Sequence, residues 1–191
     1  MKKLLLLIVV IAAIAILAYL GLYRKEETAR VLAYELNLPE LKGVSIYASE
    51  ELDKKYTCDG ENVNPAIYMP ERGIYAVIVE DPDAPGGTWF HWGIVVWNAD
   101  VIPEGLPKAL QGDYYFQTYN DFYYHGYIVG EIKGVGYDGP CPPPGHGYHR
   151  YYFQVFKLKS KPPPVKDKDE LINFIRKNAE AVYIFIAKYK R

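Results

Sequence analysis

The sequence predicts a mostly β domain that carries one late helix and follows a separate apolar segment at the N-terminus. Its 191 residues include 19 tyrosines, which favour strands, and 14 prolines, which imply rigid loops and few long helices. Short β-branched and aromatic runs recur between turn residues. Several strands, many turns and one helix together predict a single domain, built either as a closed β-barrel or as a β-sandwich.

An apolar run covers residues 4–23 and contains no charged side chain. Twenty helical residues span about 30 Å, the thickness of a bilayer hydrocarbon core. We therefore expect a transmembrane anchor over residues 1–23, followed by a tether over 24–37. No polar face interrupts the run, which disfavours a buried core helix.

A cleaved signal peptide is the alternative, and it would release the domain as a secreted protein. Ala13, Ile14 and Ala15 fit the small-x-small cleavage pattern, but they lie in the middle of the apolar run. Basic residues flank the run on both sides, so its orientation stays open. If the folded part crosses the membrane, it lies outside the cytoplasm.

The predicted strands are short and end at turn residues. They cover residues 74–80, 91–97, 114–119, 148–158 and 182–189. In the fourth strand, Tyr152, Gln154 and Phe156 share one face because side chains alternate. A helix is predicted over 167–178, where Asp167 can cap the N-terminus and apolar residues form one stripe.

Cys58 and Cys141 are the only cysteines in the chain. The even count, the neighbouring glycines and prolines, and an expected exported domain favour a disulfide between them. Such a bond would close a loop of roughly eighty residues and stabilise the fold by about 4.5 kcal/mol. Two unrelated thiols are the alternative. A zinc site is disfavoured because no partners lie at zinc-finger spacing.

Charge and motif content exclude three functions. Lysine and arginine number 22 against 23 aspartates and glutamates, so the chain lacks the basic excess of a nucleic-acid binder that works through bulk positive charge. Residues 134–139 match the G-x-G-x-x-G pattern of a dinucleotide loop, but the prolines that follow prevent a helix from starting there. None of the three serines lies in G-x-S-x-G, which excludes a serine hydrolase of that type.

Three segments gather unusual polar residues at the ends of predicted strands. They are C-D-G-E-N-V-N-P at 58–65, D-P-D-A-P at 81–85 with H-W at 91–92, and G-P-C-P-P-P-G-H-G-Y-H-R-Y at 139–151. Each has a structural explanation when taken alone. Asp-Pro-Asp is a common turn, His91 can be a structural histidine, and Arg150 can pair with an aspartate.

Together these segments resemble the phosphatidylethanolamine-binding protein family, and most closely its bacterial and archaeal branch, the Raf-kinase-inhibitor-like proteins. The resemblance covers about residues 38–191 and excludes the apolar N-terminal segment. It implies a β-sandwich with Greek-key connections and a small anion-binding pocket near one end.

The same resemblance implies a set of ligand-binding residues. These are Asp81, His91, Pro143, His149, Tyr151 and Tyr189. Supporting positions would be Asp83, Trp92 and Arg150. The family pattern assigns no role to His146. The short loop over 86–88 has no match for the tyrosine that precedes the H-W pair in eukaryotic members.

These residue types suit an anion. Imidazolium and backbone N–H groups donate hydrogen bonds to phosphate oxygens, and rigid Gly-Pro loops hold such donors in place. A carboxylate such as Asp81 beside His91 and His149 can keep both imidazoles protonated near neutral pH. We therefore expect phosphate-like ligands to bind more tightly as the pH falls from about 8 to about 6.

The leading hypothesis is a membrane-tethered binding module for phosphate or a phosphorylated head group, with no catalytic residue, cofactor, metal or nucleic-acid partner. Some members of the family that this sequence resembles instead inhibit proteases or regulate kinases through surface loops, and this is the alternative function. A third hypothesis is an enzyme, in which Asp81, His91 and His149 form a two-histidine, one-carboxylate metal triad or an acid–base pair for phosphoester hydrolysis. Binding is favoured because no activated nucleophile is apparent.

Overall fold

One antiparallel β-sheet organises residues 31–191, the part of the chain that the computed structural model describes. The strand order is β4-β3-β2-β5-β6, and β1 pairs with β2 outside this path. The strands are β1 Ser45–Ile46, β2 Ile67–Asp81, β3 Trp89–Ile102, β4 Tyr115–Gln117, β5 His149–Leu158 and β6 Ala179–Tyr189. The mostly β class predicted from the sequence is therefore confirmed.

Helices are few and short in the described residues. They are α1 Leu32–Leu36, α2 Asp121–Tyr124 and α3 Lys168–Asn178, with a 3-10 turn at Lys54–Tyr56. The predicted late helix is confirmed as α3. Its N-cap is Asp167, whose carboxylate accepts from the backbone N–H groups of Asp169 and Glu170, the donors that the first turn leaves unpaired.

Apolar side chains cover both faces of the sheet. In β2, Tyr75, Val77 and Val79 pack into one core cluster, while Ala76 and Ile78 pack into the other with residues of α1 and α3. This follows from the alternation of side chains along a strand. All strands assigned within residues 31–191 join one sheet. The Greek-key sandwich stays an expectation of the resemblance.

The chain contacts the folded domain before the expected tether boundary at residue 37. Val31 and Leu32 are buried. The backbone N–H of Leu32 donates to Oε2 of Glu80 at 3.1 Å, and that of Ala33 donates to Oε1 of Gln154 at 2.6 Å. Residues 31–36 thus pack on the domain. The expected anchor at 1–23 lies outside the described residues. Among residues 31–191, no helix combines the length and apolar character that a membrane span requires.

The predicted disulfide joins Cys58 to Cys141 across 83 residues, with a Cα–Cα distance of 5.4 Å. The backbone N–H of Cys58 also donates to the carbonyl of Pro140. This link ties the first motif to the third.

The buried side chain of Asp138 accepts several hydrogen bonds close to this disulfide. Its carboxylate is fully buried and accepts from the side chains of Asn62, Lys108 and Asn120 and from the backbone of Lys133 and Gly134. Buried carboxylates need such partners, because an unpaired charge is strongly disfavoured away from water. Asn62 of the first motif therefore has a structural role.

Antiparallel pairing brings four strand ends together at one end of the sheet, which we call the site end. Asp81 at the end of β2 pairs with Trp89 at the start of β3, and His149 at the start of β5 pairs with Tyr189 at the end of β6. The opposite end carries β1. Polar residues from separate motifs thereby become neighbours.

Candidate anion-binding site

A carboxylate–imidazole pair lies at the site end. Oδ2 of Asp81 is 2.7 Å from Nδ1 of His149, and the two side chains are 4% and 2% exposed. An ionised carboxylate only accepts, so Nδ1 carries the hydrogen. The contact fixes the ring orientation and directs Nε2 of His149 away from Asp81.

His146 occupies the other side of the His149 ring. Its Nδ1 lies 2.7 Å from Nε2 of His149, with the ring centroids 4.9 Å apart. His146 itself is exposed. It lies between Gly145 (φ +78°) and Gly147 (φ +89°), two positions of left-handed backbone where an added Cβ would meet open space. The family resemblance gave no role to this histidine.

An open depression of about 480 Å³ lies over this pair of imidazoles. Its lining residues are Asp83, His146, Tyr148, His149, Arg150 and Lys188. Most of these side chains are positively charged or can become positively charged by protonation. The depression therefore presents hydrogen-bond donors to solvent.

Arg150 is held in the wall of the depression by Asp83. Nε and Nη2 of the guanidinium donate to the two carboxylate oxygens at 2.8 and 2.6 Å. Burial favours the neutral acid, but the hydrogen bonds and charge of Arg150 outweigh it and lower the pKa of Asp83. This fork orients Arg150 and neutralises part of its charge.

His91 is placed by a β-bulge. Val79 pairs with Trp92 and Glu80 pairs with Phe90, which leaves His91 as the extra residue of β3. Its ring is 2% exposed and lies 5.3 Å, centroid to centroid, from the ring of Tyr151. The bulge thus turns His91 toward the interior behind the depression.

Burial lowers the pKa of His91, and the nearby charge of Asp81 does not compensate. Nδ1 of His91 is 2.7 Å from the carbonyl oxygen of Asp138. A carbonyl only accepts, so Nδ1 carries the hydrogen and Nε2 keeps its lone pair. The expectation that Asp81 keeps both histidines protonated is wrong for His91, because desolvation dominates.

The Tyr151 hydroxyl is buried and makes no hydrogen bond of normal geometry with the described residues. Burial raises the pKa of Tyr151, and the charge of Asp81 adds to that effect. An unpaired buried hydroxyl destabilises a fold by about 1–3 kcal/mol. A bound water or ion can supply the missing partner of such a group.

A family model described as phosphatidylethanolamine-binding protein matches residues 43–189. The chain belongs to this family. Among its relatives is a UPF0098 protein of Aquifex aeolicus, 38% identical over 152 residues, which cover 74% of this chain and 82% of that protein. A UPF0098 protein of Pyrococcus horikoshii is 40% identical over 131 residues, which cover 62% of this chain and 59% of that protein.

The crystal structure of Escherichia coli YbcL, described as a member of the mammalian PEBP family, is similar to this chain. The TM-score is 0.58 with 25% identity, and the match covers 78% of this chain and 97% of that chain. In sequence, YbcL is 31% identical over 157 residues. The resemblance read from the three motifs is therefore confirmed.

Six of the nine residues suggested by the family pattern do not line the depression: Asp81, His91, Trp92, Pro143, Tyr151 and Tyr189. Pro143 is exposed, and its carbonyl accepts from the backbone N–H of His146 at 3.1 Å. The Tyr189 hydroxyl donates to Asp59 at 2.8 Å. Trp92 is fully buried in the core, where Nε1 donates to Gln117.

The described residues contain no group of three or more histidine, cysteine, aspartate or glutamate side chains arranged to hold a metal. Asp81 and His149 are bonded to each other, and Nδ1 of His91 is bonded to a carbonyl. These three residues are close together without forming a facial triad.

Proposed function

We propose that this PEBP-family domain binds a small anion, phosphate or a phosphorylated head group, in the depression at the site end. The proposal includes an anchor at residues 4–23 that tethers the domain to a membrane, with the domain outside the cytoplasm. The main support is the imidazole of His149. Its Nδ1 is bonded to Asp81, and its Nε2 borders the open depression.

An anion would bind at Nε2 of His149 by displacing the side chain that contacts this nitrogen in the free domain. In the free domain His146 is the partner of Nε2. An anion oxygen takes the place of His146 and accepts a hydrogen bond from Nε2–H when His149 is protonated on both nitrogens. His146 is exposed, and the glycines on either side of it carry no side chain that would crowd its ring.

The rim of the depression favours negative charge. Arg150 and Lys188 line it, and Nζ of Lys190 lies 4.6 Å from the centre of the Tyr148 ring. Lys188 and Lys190 are exposed. Exposed cations of this kind attract anions, and this attraction weakens as the salt concentration rises. Asp81 acts through His149, so it is a positioning residue.

The test is titration calorimetry of the full chain in detergent micelles with sulfate and with phosphate. Sulfate keeps its charge between pH 8 and pH 6, whereas phosphate gains a proton, so sulfate isolates the protein's own titration. We expect sulfate affinity to increase several-fold as the pH falls over this range. Flat sulfate affinity would contradict an imidazolium donor.

The decisive variant is His149→Asn. The asparagine amide can replace Nδ1 as the donor to Asp81, but nothing replaces Nε2. We expect loss of sulfate binding with the fold retained. His125→Ala is the control, because His125 does not line the depression. Unchanged binding in His149→Asn would overturn the proposed site.

A further inference from the structure

A second surface at the site end exposes apolar side chains that the rest of residues 31–191 covers only in part. Among the described residues, ten large hydrophobic side chains are exposed, and five of them lie within residues 123–129. They are Tyr123 (48%), Tyr124 (43%), Tyr127 (58%), Ile128 (47%) and Val129 (67%). We call this segment the aromatic loop. Contiguous exposed apolar patches of this kind mark interaction surfaces.

The fold holds the aromatic loop in place. Asn120 caps α2, and the backbone N–H of Tyr127 donates to the carbonyl of Phe122 at 2.8 Å. Beneath the loop, the Trp89 ring stacks on His125 with centroids 4.7 Å apart. The apolar side chains therefore point outward from an ordered turn.

The aromatic loop adjoins the candidate anion site. Oδ2 of Asp121 accepts from the backbone N–H of Phe90 at 2.8 Å, which fixes α2 at the start of β3. The Phe122 ring lies 5.4 Å, centroid to centroid, from His91. Both surfaces therefore belong to the same end of the sheet.

The N-terminal chain also enters at this end. Leu32 bonds to Glu80, and Glu80 pairs with Phe90 in the β2–β3 ladder. Between the apolar run and the first described residue there are seven residues, 24–30. Seven extended residues reach at most about 25 Å. A span at residues 4–23 would thus hold the site end close to a bilayer.

We infer that the aromatic loop inserts at the lipid head-group level of the membrane that holds residues 4–23. Tyrosine suits this depth, because its ring is apolar and its hydroxyl stays hydrated. Lys133 lies at the base of the loop, where Nζ donates to the carbonyl of Gly130, and can face lipid phosphates. The inference rests on the membrane tether of the proposed function.

This orientation of the domain on the membrane indicates which molecule supplies the bound anion. With the aromatic loop in the head-group layer, the depression at the same end faces lipid phosphates. Membrane lipid, and not free phosphate, is then the ligand that the site meets.

The test uses nitroxide labels on the full chain in phosphatidylcholine vesicles. Val129→Cys places a label on the aromatic loop. Tyr47→Cys is the matched control, because Tyr47 is 76% exposed and follows β1 at the opposite end of the sheet. The native cysteines are bridged and do not react with the label. Power saturation then compares contact with oxygen, which concentrates in lipid, and with a water-soluble nickel complex.

We expect the label at position 129 to show a several-fold higher ratio of oxygen to nickel contact than the label at position 47. Equal ratios in chains that sediment with the vesicles would overturn the aromatic-loop contact and leave the tether intact. Chains that stay in the supernatant would overturn the tether itself. Spin–spin broadening at position 129 without lipid contact would identify a second copy as the partner and also overturn the inference.

Discussion

Nδ1 of His146 and Nε2 of His149 face each other at 2.7 Å, and a single hydrogen lies between them. His149 is bonded through its other nitrogen to the buried carboxylate of Asp81. The chain of contacts from Asp81 to His146 therefore leads from the interior to solvent. The side chain of His146 thus occupies Nε2 of His149, the nitrogen that the proposed function assigns to the anion.

Replacing His146 with alanine should increase anion affinity. The substitution removes the internal partner of Nε2, and a hydrogen bond of this kind contributes about 1 kcal/mol, which corresponds to about a fivefold change in binding. Titration calorimetry with sulfate measures it.

His125→Ala controls for the loss of a histidine elsewhere on the surface. Unchanged or weaker sulfate binding in His146→Ala would show that His146 does not compete with the anion for His149.

Replacing Asp81 with asparagine should weaken anion binding. Asparagine still offers an oxygen to Nδ1 of His149, but the charge-assisted hydrogen bond becomes a neutral one, which is about half as strong. The ring is then held less firmly, so sulfate affinity should fall several-fold. The measurement is a series of sulfate titrations between pH 8 and pH 5.

Asp100→Asn is the matched control, because Asp100 lies on β3 and its nearest ion-pair contact is Arg72 at 3.9 Å. A pH profile of Asp81→Asn that overlays the wild type would remove Asp81 from the positioning role.

Local sequence patterns predicted β2 and α3, because the residues that determine each of these elements are neighbours in the sequence. The β-branched run before Asp81 produced β2, and the Asp167 cap followed by an apolar stripe produced α3. The disulfide was also predicted, from the even cysteine count, the neighbouring glycines and prolines, and an expected exported domain. Helix α1 was missed, since Glu80 and Gln154 from distant strands bind its first N–H groups.

The site was predicted only in part. Family motifs brought Asp81 and His149 into one pocket, and the geometry agrees with that grouping. The lowered pKa of His91 depends on burial, and its inward position depends on a β-bulge; neither is visible in the chain order. His146 received no role from the sequence, because its contact with Nε2 of His149 appears only in the folded structure.

Removing the disulfide should lower stability without unfolding the sheet. The Cys58–Cys141 bond closes a separation of 83 residues. The double variant Cys58→Ser, Cys141→Ser should lose about 2–5 kcal/mol of unfolding free energy, mainly because the unfolded chain becomes less constrained. Guanidinium denaturation followed by circular dichroism measures the loss.

Reducing agent provides the control for this pair. It should lower the denaturation midpoint of the wild type and leave the double variant unchanged. Equal midpoints for the oxidised wild type and the variant would mean that the bond does not stabilise the fold.

Replacing Glu80 with glutamine should stabilise the domain at neutral pH. Glu80 is 8% exposed, and its Oε2 accepts from the N–H of Leu32 and from Gln154. Burial raises the pKa of Glu80, and these hydrogen bonds only partly oppose the shift. The folded state therefore holds the proton more tightly than the unfolded chain. Stability is highest below the unfolded pKa of about 4.3 and falls as the pH rises through the higher folded value.

Glutamine is neutral at every pH and offers an oxygen to the same two donors, so it avoids this loss. At pH 7 the melting temperature of Glu80→Gln should exceed that of the wild type by a few degrees, since 1 kcal/mol corresponds to about 2–4 °C in a domain of this size. The difference should shrink toward pH 4, where wild-type Glu80 is protonated. Scanning calorimetry at both pH values measures it. Glu71→Gln is the control, because the exposed Glu71–Lys157 pair contributes little to stability. A melting temperature at pH 7 that is equal to or below the wild type would show that Glu80 stabilises the α1 contact as a charged group.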